Sequence, residues 1–437
     1  MPGLRLFAGE DLPKVPSYYD SYLAELVAKV NRNRMEKGCD AGFIFITDPH
    51  VRANHKVSGA LVARLVRATG LETVLCGGDL CEAFGADYPS DRAAVDYAID
   101  TFREKWVVPI RAAGGRLYTA KGNHDFNVRH SMKAEDGNRG FTYPGTKSHE
   151  ILVGEFTERD AVTNPDDPTA CYFYVDRPDE KLRYIVADTT DSETSGDVAW
   201  GVRPGIHGCQ LGWLARAFET TPAGYRVVVM HHIPIAGVVA NANDVRMFGA
   251  FRELVERHAD KVILDLTGHY HAERQTFRRG ILHMTEPCDA AYGDYIAGSA
   301  PWCGDLPKKT RGTVHEQTFT ILQFSADRTR VFATRVGGGQ DREIRLDVRK
   351  VAVGETFRAD GYAKGVKTRF ACYDGDTVTF KPDPNNRWGS LIEYKNEFAE
   401  ISADGVVTAK KPGPVVVLAM DGAWNKRITS FEVVPAV

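Results

Sequence analysis

The chain has 437 residues, 43% of them apolar and 26% charged, with a formal net charge of −3. That length exceeds what one ordinary hydrophobic core organises, so at least two domains are expected. The near-neutral charge provides no general attraction to nucleic acid or anionic membrane, and no apolar run approaches the length of a membrane span. Met1-Pro2-Gly3-Leu4-Arg5-Leu6 leads into Glu10, Asp11 and Pro13 rather than an apolar segment, so no signal peptide is recognisable. Cysteines at 39, 76, 81, 171, 209, 288, 303 and 372 form no Cys-x-x-Cys pair and no zinc-finger spacing. Scattered, reduced thiols are expected, which leans towards a cytoplasmic setting.

In chain order, residues 17–36 carry Tyr19, Leu23, Leu26, Val27 and Val30 at helical spacing, and Gly38 closes that helix. Gly42 to Thr47 is apolar throughout, as a strand buried on both faces would be, and ends on Asp48-Pro49-His50. Ser58 is the expected cap of a helix bearing Leu61, Val62, Leu65 and Val66, stopped by Gly70. The strand Thr73 to Cys76 ends on Gly77-Gly78-Asp79. A helix opened by Ser90 carries Val95, Ile99, Phe102 and Trp106 on one face, with Pro109 as its expected end. The strand Arg116 to Ala120 then delivers Lys121-Gly122-Asn123-His124-Asp125.

Residues 130–170, rich in Gly, Pro, Asp and Asn, read as a long excursion with short strands. Tyr184 to Asp188 is a strand, Gln210 to Phe218 a helix, and Tyr225 to Met230 a strand ending on His231-His232-Ile233-Pro234. A helix through Phe251, Leu254 and Val255 precedes the strand Val262 to Leu266, which ends on Gly268-His269-Tyr270-His271. Alternation of this kind predicts an α/β layered domain with ligands gathered at the carboxyl ends of its strands. Residues 317–336 alternate as strands do, and from about 345 onward short β-rich runs are separated by turns such as Asp374-Gly375, Asp404-Gly405 and Pro412-Gly413. The expected boundaries are therefore an α/β domain over 1–345 and a small antiparallel β-sandwich over 346–437.

Five strand ends carry groups able to hold a metal: Asp48 with His50, Asp79, Asn123, His231 or His232, and His269 with His271. Any one of these could be an ordinary polar turn, a helix cap or a solvated histidine. Five such groups at the same ends of successive strands make the joint reading the better one. Carboxylate, imidazole and amide donors together suit manganese, iron or zinc rather than a thiolate site. Seven side chains are too many for one ion and suit two, with Asp79 the natural bridge.

Asp-x-His, Gly-Gly-Asp, Gly-Asn-His-Asp, His-His-x-Pro and Gly-His-x-His, in this order between residues 43 and 271, resemble the calcineurin-like metallophosphoesterase superfamily. Gln210-Leu211-Gly212-Trp213-Leu214 and Arg335-Val336-Gly337-Gly338-Gly339 resemble that family's accessory features. The resemblance implies a four-layer α-β-β-α sandwich and a metal-dependent phosphoric ester hydrolase with two divalent ions. One ion would take Asp48, His50, Asp79 and His271; the other would take Asp79, Asn123, His231 and His269. The motif spacing admits either His231 or His232, and His231 is favoured because it directly follows the strand. The resemblance further implies attack by a metal-bridging hydroxide. His124 would act as acid or charge stabiliser, with Asp125 orienting its ring. Asn54, His55, Arg129, His130 and Tyr270 are further candidates for substrate contact, and the segments 130–170 and Asp289 to Trp302 for substrate choice.

Ala399 to Ala409, followed by Pro412-Gly413, resembles the bacterial immunoglobulin-like (group 2) domains, which implies adhesion or attachment, for example to a cell-surface polymer or protein. The localisation implied is cytoplasmic or virion- or surface-associated. A phosphodiester is the expected substrate, against the alternatives of a phosphomonoesterase or nucleotidase, and the charge counts against a nuclease. The reading from another class is a surface-binding protein whose phosphoesterase domain is inactive.

Overall fold

The computed structural model describes residues 12–51, 57–80, 91–125, 143–191, 205–236, 248–289, 309–358, 367–370, 377–382, 390–402, 405–420 and 426–436. Helix α1, Tyr19–Lys37, buries Tyr19, Leu23, Leu26, Val27 and Val30 and ends where Gly38 turns left-handed at φ 64°. Strand β1, Cys39–Ile46, follows, and then α2, Ser58–Thr69, closed by Gly70 at φ 69°. Ser58 begins α2 but does not cap it: Val57 occupies the cap position, and the Ser58 hydroxyl, one residue inside the helix, donates to Gln317 Oε1. Strand β2 is Thr73–Cys76.

Pro109 does not end the next helix. Helix α3, Asp91–Phe102, passes through a π-helical turn, Arg103–Val107, into α4, Val108–Ala112. Pro109 sits in the first turn of α4, where proline is tolerated because that amide need not bond within the helix. After β3, Arg116–Thr119, the described part of the excursion begins helical, with α5, Gly145–His149, and a π-helical turn, Glu150–Glu155, and goes on through loops and one short strand at Val162–Thr163. Ile151, Leu152 and Phe156 anchor the helical part, since they join the apolar cluster beneath α1, α2 and α3.

The remaining elements are β4, Val162–Thr163; β5, Phe173–Arg177; β6, Leu182–Val186; α6, Gly208–Glu219; β7, Arg226–Met230; α7, Gly249–Arg257; β8, Val262–Thr267; β9, Arg274–Arg278; and β10, Ile281–Thr285. They are followed by β11, Thr318–Ser325; β12, Arg330–Gly337; and β13, Arg342–Arg345. The C-terminal strands are β14, Arg349–Ala352; β15, Thr356–Arg358; β16, Lys367–Phe370; β17, Thr377–Pro382; β18, Ser390–Lys395; β19, Ala399–Ile401; β20, Val406–Ala409; β21, Gly413–Met420; and β22, Lys426–Val434.

One sheet runs β16-β21-β22-β13-β12-β11-β1-β2-β3, with β14 also paired to β22; a second runs β4-β5-β6-β7-β8-β10-β9. In the first, β1, β2 and β3 are parallel neighbours; in the second, β6, β7 and β8 are. Phe43, Phe45, Leu75 and Tyr118 of the first sheet pack with Phe173, Tyr184, Val228 and Leu264 of the second in one buried cluster. The opposite faces pack against α1, α2 and α3 on one sheet and against α6 and α7 on the other.

A buried ionic group ties the sheets together. Arg342 Nη1 donates to Glu286 Oε1 at 2.6 Å and Arg335 Nη1 to Glu286 Oε2 at 2.9 Å, while Arg335 also pairs with Glu273. Of the C-terminal strands, β14, β16, β21 and β22 share the first sheet through β22, which lies parallel to β13, while β15-β20-β19 and β17-β18 form two small sheets of their own. Val416 and Ile428 face the cluster between the sheets, whereas Val415, Val417, Phe431 and Val433 build a separate one with Val351, Ala399 and Val407. Cys39, Cys76, Cys171, Cys209 and Cys288 are not in disulfides, and among the described residues no helix is long and apolar enough to cross a membrane.

Candidate metal centre

The loops after β1, β2, β3, β7 and β8 meet at one end of the two sheets, laced by their own backbone. Asp48 N donates to Gly78 O, His50 N to Asp79 O, and Gly268 N to His232 O, at 3.0, 3.0 and 3.1 Å. Two glycines permit this approach. A Cβ on Gly122 would fall 2.2 Å from Asp79 Oδ1, and one on Gly268 would fall 2.2 Å from Asp48 Oδ2. Five candidate ligands, Asp48, His50, Asp79, His269 and His271, have φ between 40° and 70°. Left-handed backbone at a side-chain-bearing residue costs on the order of 1–2 kcal/mol. Its concentration here matches strain held at a functional site.

Asp48, His50, Asp79 and His271 each present a ligand atom, all four within 4.8 Å of one another. Asp79, His232 and His269 form a second such group, so Asp79 belongs to both. Asn123 completes the second: its Oδ1 lies 2.7 Å from His269 Nδ1 and 3.0 Å from His232 Nε2.

The choice of His231 is corrected here. Its Nε2 pairs with Asp265 Oδ1 at 2.7 Å and its Nδ1 meets Ile233 O at 2.9 Å, beneath the ring of Phe251. His232 takes the place instead, with Nε2 3.0 Å from Asp79 Oδ2. Strand alternation carries the signal that was missed. On β7, Val228 and Met230 point between the sheets while Val227 and Val229 point to α6 and α7. Continuing that period of two sends residue 232 inward and residue 231 outward.

Asp125, fully buried, sits between two strand-end loops. Its Oδ1 accepts from Leu80 N at 2.7 Å and its Oδ2 from Gly122 N at 2.8 Å. Its carboxylate thus braces the β2 and β3 loops. His124 itself is anchored by its amide, which donates to Asp79 Oδ1 at 2.7 Å, and its ring stands 5.2 Å edge-on from that of His50. Tyr270 stacks edge-on to His269. Asn54, His55, Arg129, His130, the segment 130–142 and most of Asp289 to Trp302 lie outside the described residues.

The electrostatics of the cluster call for positive charge. Burial favours protonation of Asp48, yet His232 and His271 bring its carboxyl down to about 2. Asp79 is likewise held well below the usual carboxylate range, by His232 and His124 against the effect of burial. Burial alone would lower His232, but Asp79 and Asp48 push it up to about 10, so the imidazolium stands where a cation would balance the same carboxylates. Burial drives His50 well below the histidine range, leaving a neutral imidazole of the kind metals bind. Mixed oxygen and imidazole donors in two groups sharing one carboxylate fit a pair of divalent cations.

No family model matches the chain, and no curated protein does. Among solved structures the chain is similar to a dimetal phosphatase from Danio rerio, at 16% identity and TM-score 0.45, over 71% of this chain and 100% of that one. It is also similar to GAP50, the anchor in the inner membrane complex of Plasmodium, at 11% identity and TM-score 0.41, over 68% and 85% of the two chains. A third is the phosphopantetheinyl hydrolase of Mycobacterium tuberculosis, at 12% identity and TM-score 0.32, over 57% and 91%. Each is a likeness, and none transfers an activity.

Proposed function

We propose that this chain is a dimetal phosphoric ester hydrolase of the calcineurin-like metallophosphoesterase type. One observation carries the reading: Asp79 stands in both ligand groups, with the amide of the partly exposed His124 fixed on its carboxylate. Asp48, His50, Asp79 and His271 would hold one divalent ion, and Asp79, Asn123, His232 and His269 the other. Manganese, iron and zinc all suit these donors. When bound, two such ions supply Lewis acidity and a nucleophile at neutral pH.

The rest of the chemistry belongs to the protein. His124, placed by its backbone at the shared carboxylate, stabilises charge on the phosphoryl group or gives a proton to the leaving oxygen. Asp125 acts one step back, fixing Gly122 and Leu80 so that Asn123 and His124 keep their places. The loops crowd out water around Asp48, His50 and Asp79, all fully buried, which strengthens each electrostatic contact.

The layers support the α-β-β-α sandwich reading, since each sheet buries one face on the other and one face on helices. An immunoglobulin-like module over 346–437 is supported by its antiparallel pairs β15-β20 and β19-β20 and by its own apolar cluster. Such a module suits attachment to a surface polymer, and for that reason a phosphodiester is placed ahead of a monoester. Aryl phosphate mono- and diesters, assayed side by side with manganese added, test the proposal. Turnover that requires metal is expected, faster on the diester. Absence of turnover with every divalent metal, in protein shown to hold two ions, refutes the enzyme reading.

A further inference from the structure

Cys288 lies three residues beyond β10 and is fully buried. Its sulfur stands within 4.8 Å of a ring nitrogen of both His50 and His271, as those two do of each other. The thiol donates to the backbone carbonyl oxygen of Asp48 at 3.1 Å, which fixes the sulfur on the loop that carries two candidate ligands. Lys309 Nζ donates to the carbonyl oxygen of Cys288 at 2.6 Å, which holds the Cys288 backbone in place beside that loop. The oxygen-rich group at this position, Asp48, His50, Asp79 and His271, does not include the sulfur.

We infer that the first metal position contains two overlapping donor sets: an oxygen-rich one through Asp48 and Asp79, and a thiolate–imidazole one of His50, His271 and Cys288 that captures thiophilic divalent cations. His50 and His271 serve both, so the position holds one arrangement at a time. Hard cations take the carboxylates, while soft cations are drawn onto the sulfur. In the soft arrangement the S–H bond is exchanged for a sulfur–metal bond and the proton leaves to solvent; no electron is transferred. The inference rests on the dimetal reading only in taking His50 and His271 as ligands.

The test uses the full chain stripped of metal, with cadmium as the soft probe and manganese as the hard one. Cadmium is expected to produce an ultraviolet sulfur-to-metal charge-transfer band as the first equivalent binds. Its X-ray absorption should show one sulfur with two imidazole nitrogens. Cys288→Ser, which keeps a donor for the Asp48 carbonyl, should lose the band and bind cadmium at least about tenfold more weakly, the lower bound set by losses of outer-shell groups. The same variant should keep the wild-type manganese content. A wild-type cadmium site without sulfur overturns the inference, as does a band that survives in both Cys288→Ser and Cys288→Ala. The wild-type spectrum decides the matter even if neither variant folds. Failure of the phosphoesterase reading would instead appear as absent turnover in manganese-loaded protein, with the cadmium band intact.

Discussion

The imidazole Nε2 of His232 stands 3.0 Å from Asn123 Oδ1, although the two residues are 109 positions apart in the chain. His231, next to it, points through the second sheet's other face to Asp265, whose carboxylate also takes His283 Nδ1 at 2.6 Å. The adjacent histidines should therefore fail differently. His232→Ala is expected to retain about one manganese ion per chain in place of two, with the fold preserved. His231→Ala is expected to keep both ions but to lose about 3 kcal/mol of stability, because a buried carboxylate is left with half its pairing. Metal content by elemental analysis and urea unfolding separate the two. Loss of metal in His231→Ala alone would reverse the assignment.

His124 contributes its amide to Asp79 and leaves its ring beside His50. Since the amide survives any side-chain change except proline, His124→Ala should keep full metal content. Turnover should fall by about a hundredfold or more, the usual scale for a positioned acid or charge stabiliser. Loss of metal from this variant would make the imidazole a ligand and remove it from the proposed chemistry.

Gly122 offers a sharper test of how closely the loops are fitted. An added Cβ would sit 2.2 Å from both the nitrogen and Oδ1 of Asp79, and backbone nitrogen cannot rotate away as a flexible side chain can. Gly122→Ala should displace the shared carboxylate and weaken both metal positions together. A variant holding two ions with wild-type affinity would show that the β2 and β3 loops part without cost.

Much of this architecture was legible in the sequence because buried parallel strands are written as continuous apolar runs. The expected Thr73 to Cys76 is the observed β2 to the residue, and Gly38 and Gly70 end their helices as left-handed turns. What escaped depended on partners distant in sequence. Ser58 looked like a cap but is the first residue inside α2, its hydroxyl turned to Gln317, and Pro109 looked like a stop until the π-helical turn let the helix resume. The loop-bracing role of Asp125 depends on the amide of Leu80, on another strand end. Cys288 belongs to no motif, and nothing local marks it as a neighbour of His50. The parallel pairing of β22 with β13 joins segments some eighty residues apart and has no local pattern to announce it.

The ionic group between the sheets gives a pH-dependent expectation of its own. Burial raises the Glu286 carboxyl, but Arg342 and Arg335 outweigh it and hold the group below its ordinary value of 4.5. A depressed carboxylate contributes stability that is complete above the unfolded-state value and is lost as pH falls through the folded-state value. Arg342→Met removes the larger of the two compensating charges and leaves burial to push Glu286 upward. The variant should be less stable than wild type by about 3–5 kcal/mol at pH 7, the range for breaking a buried ion pair from one side. The deficit should shrink as pH falls towards 4.5, where Glu286 in the variant takes up a proton and the uncompensated charge disappears. Urea unfolding of both proteins at the two pH values measures this. An equal deficit at both would show that Arg342 acts through packing of its stem, with no electrostatic part in holding the sheets together.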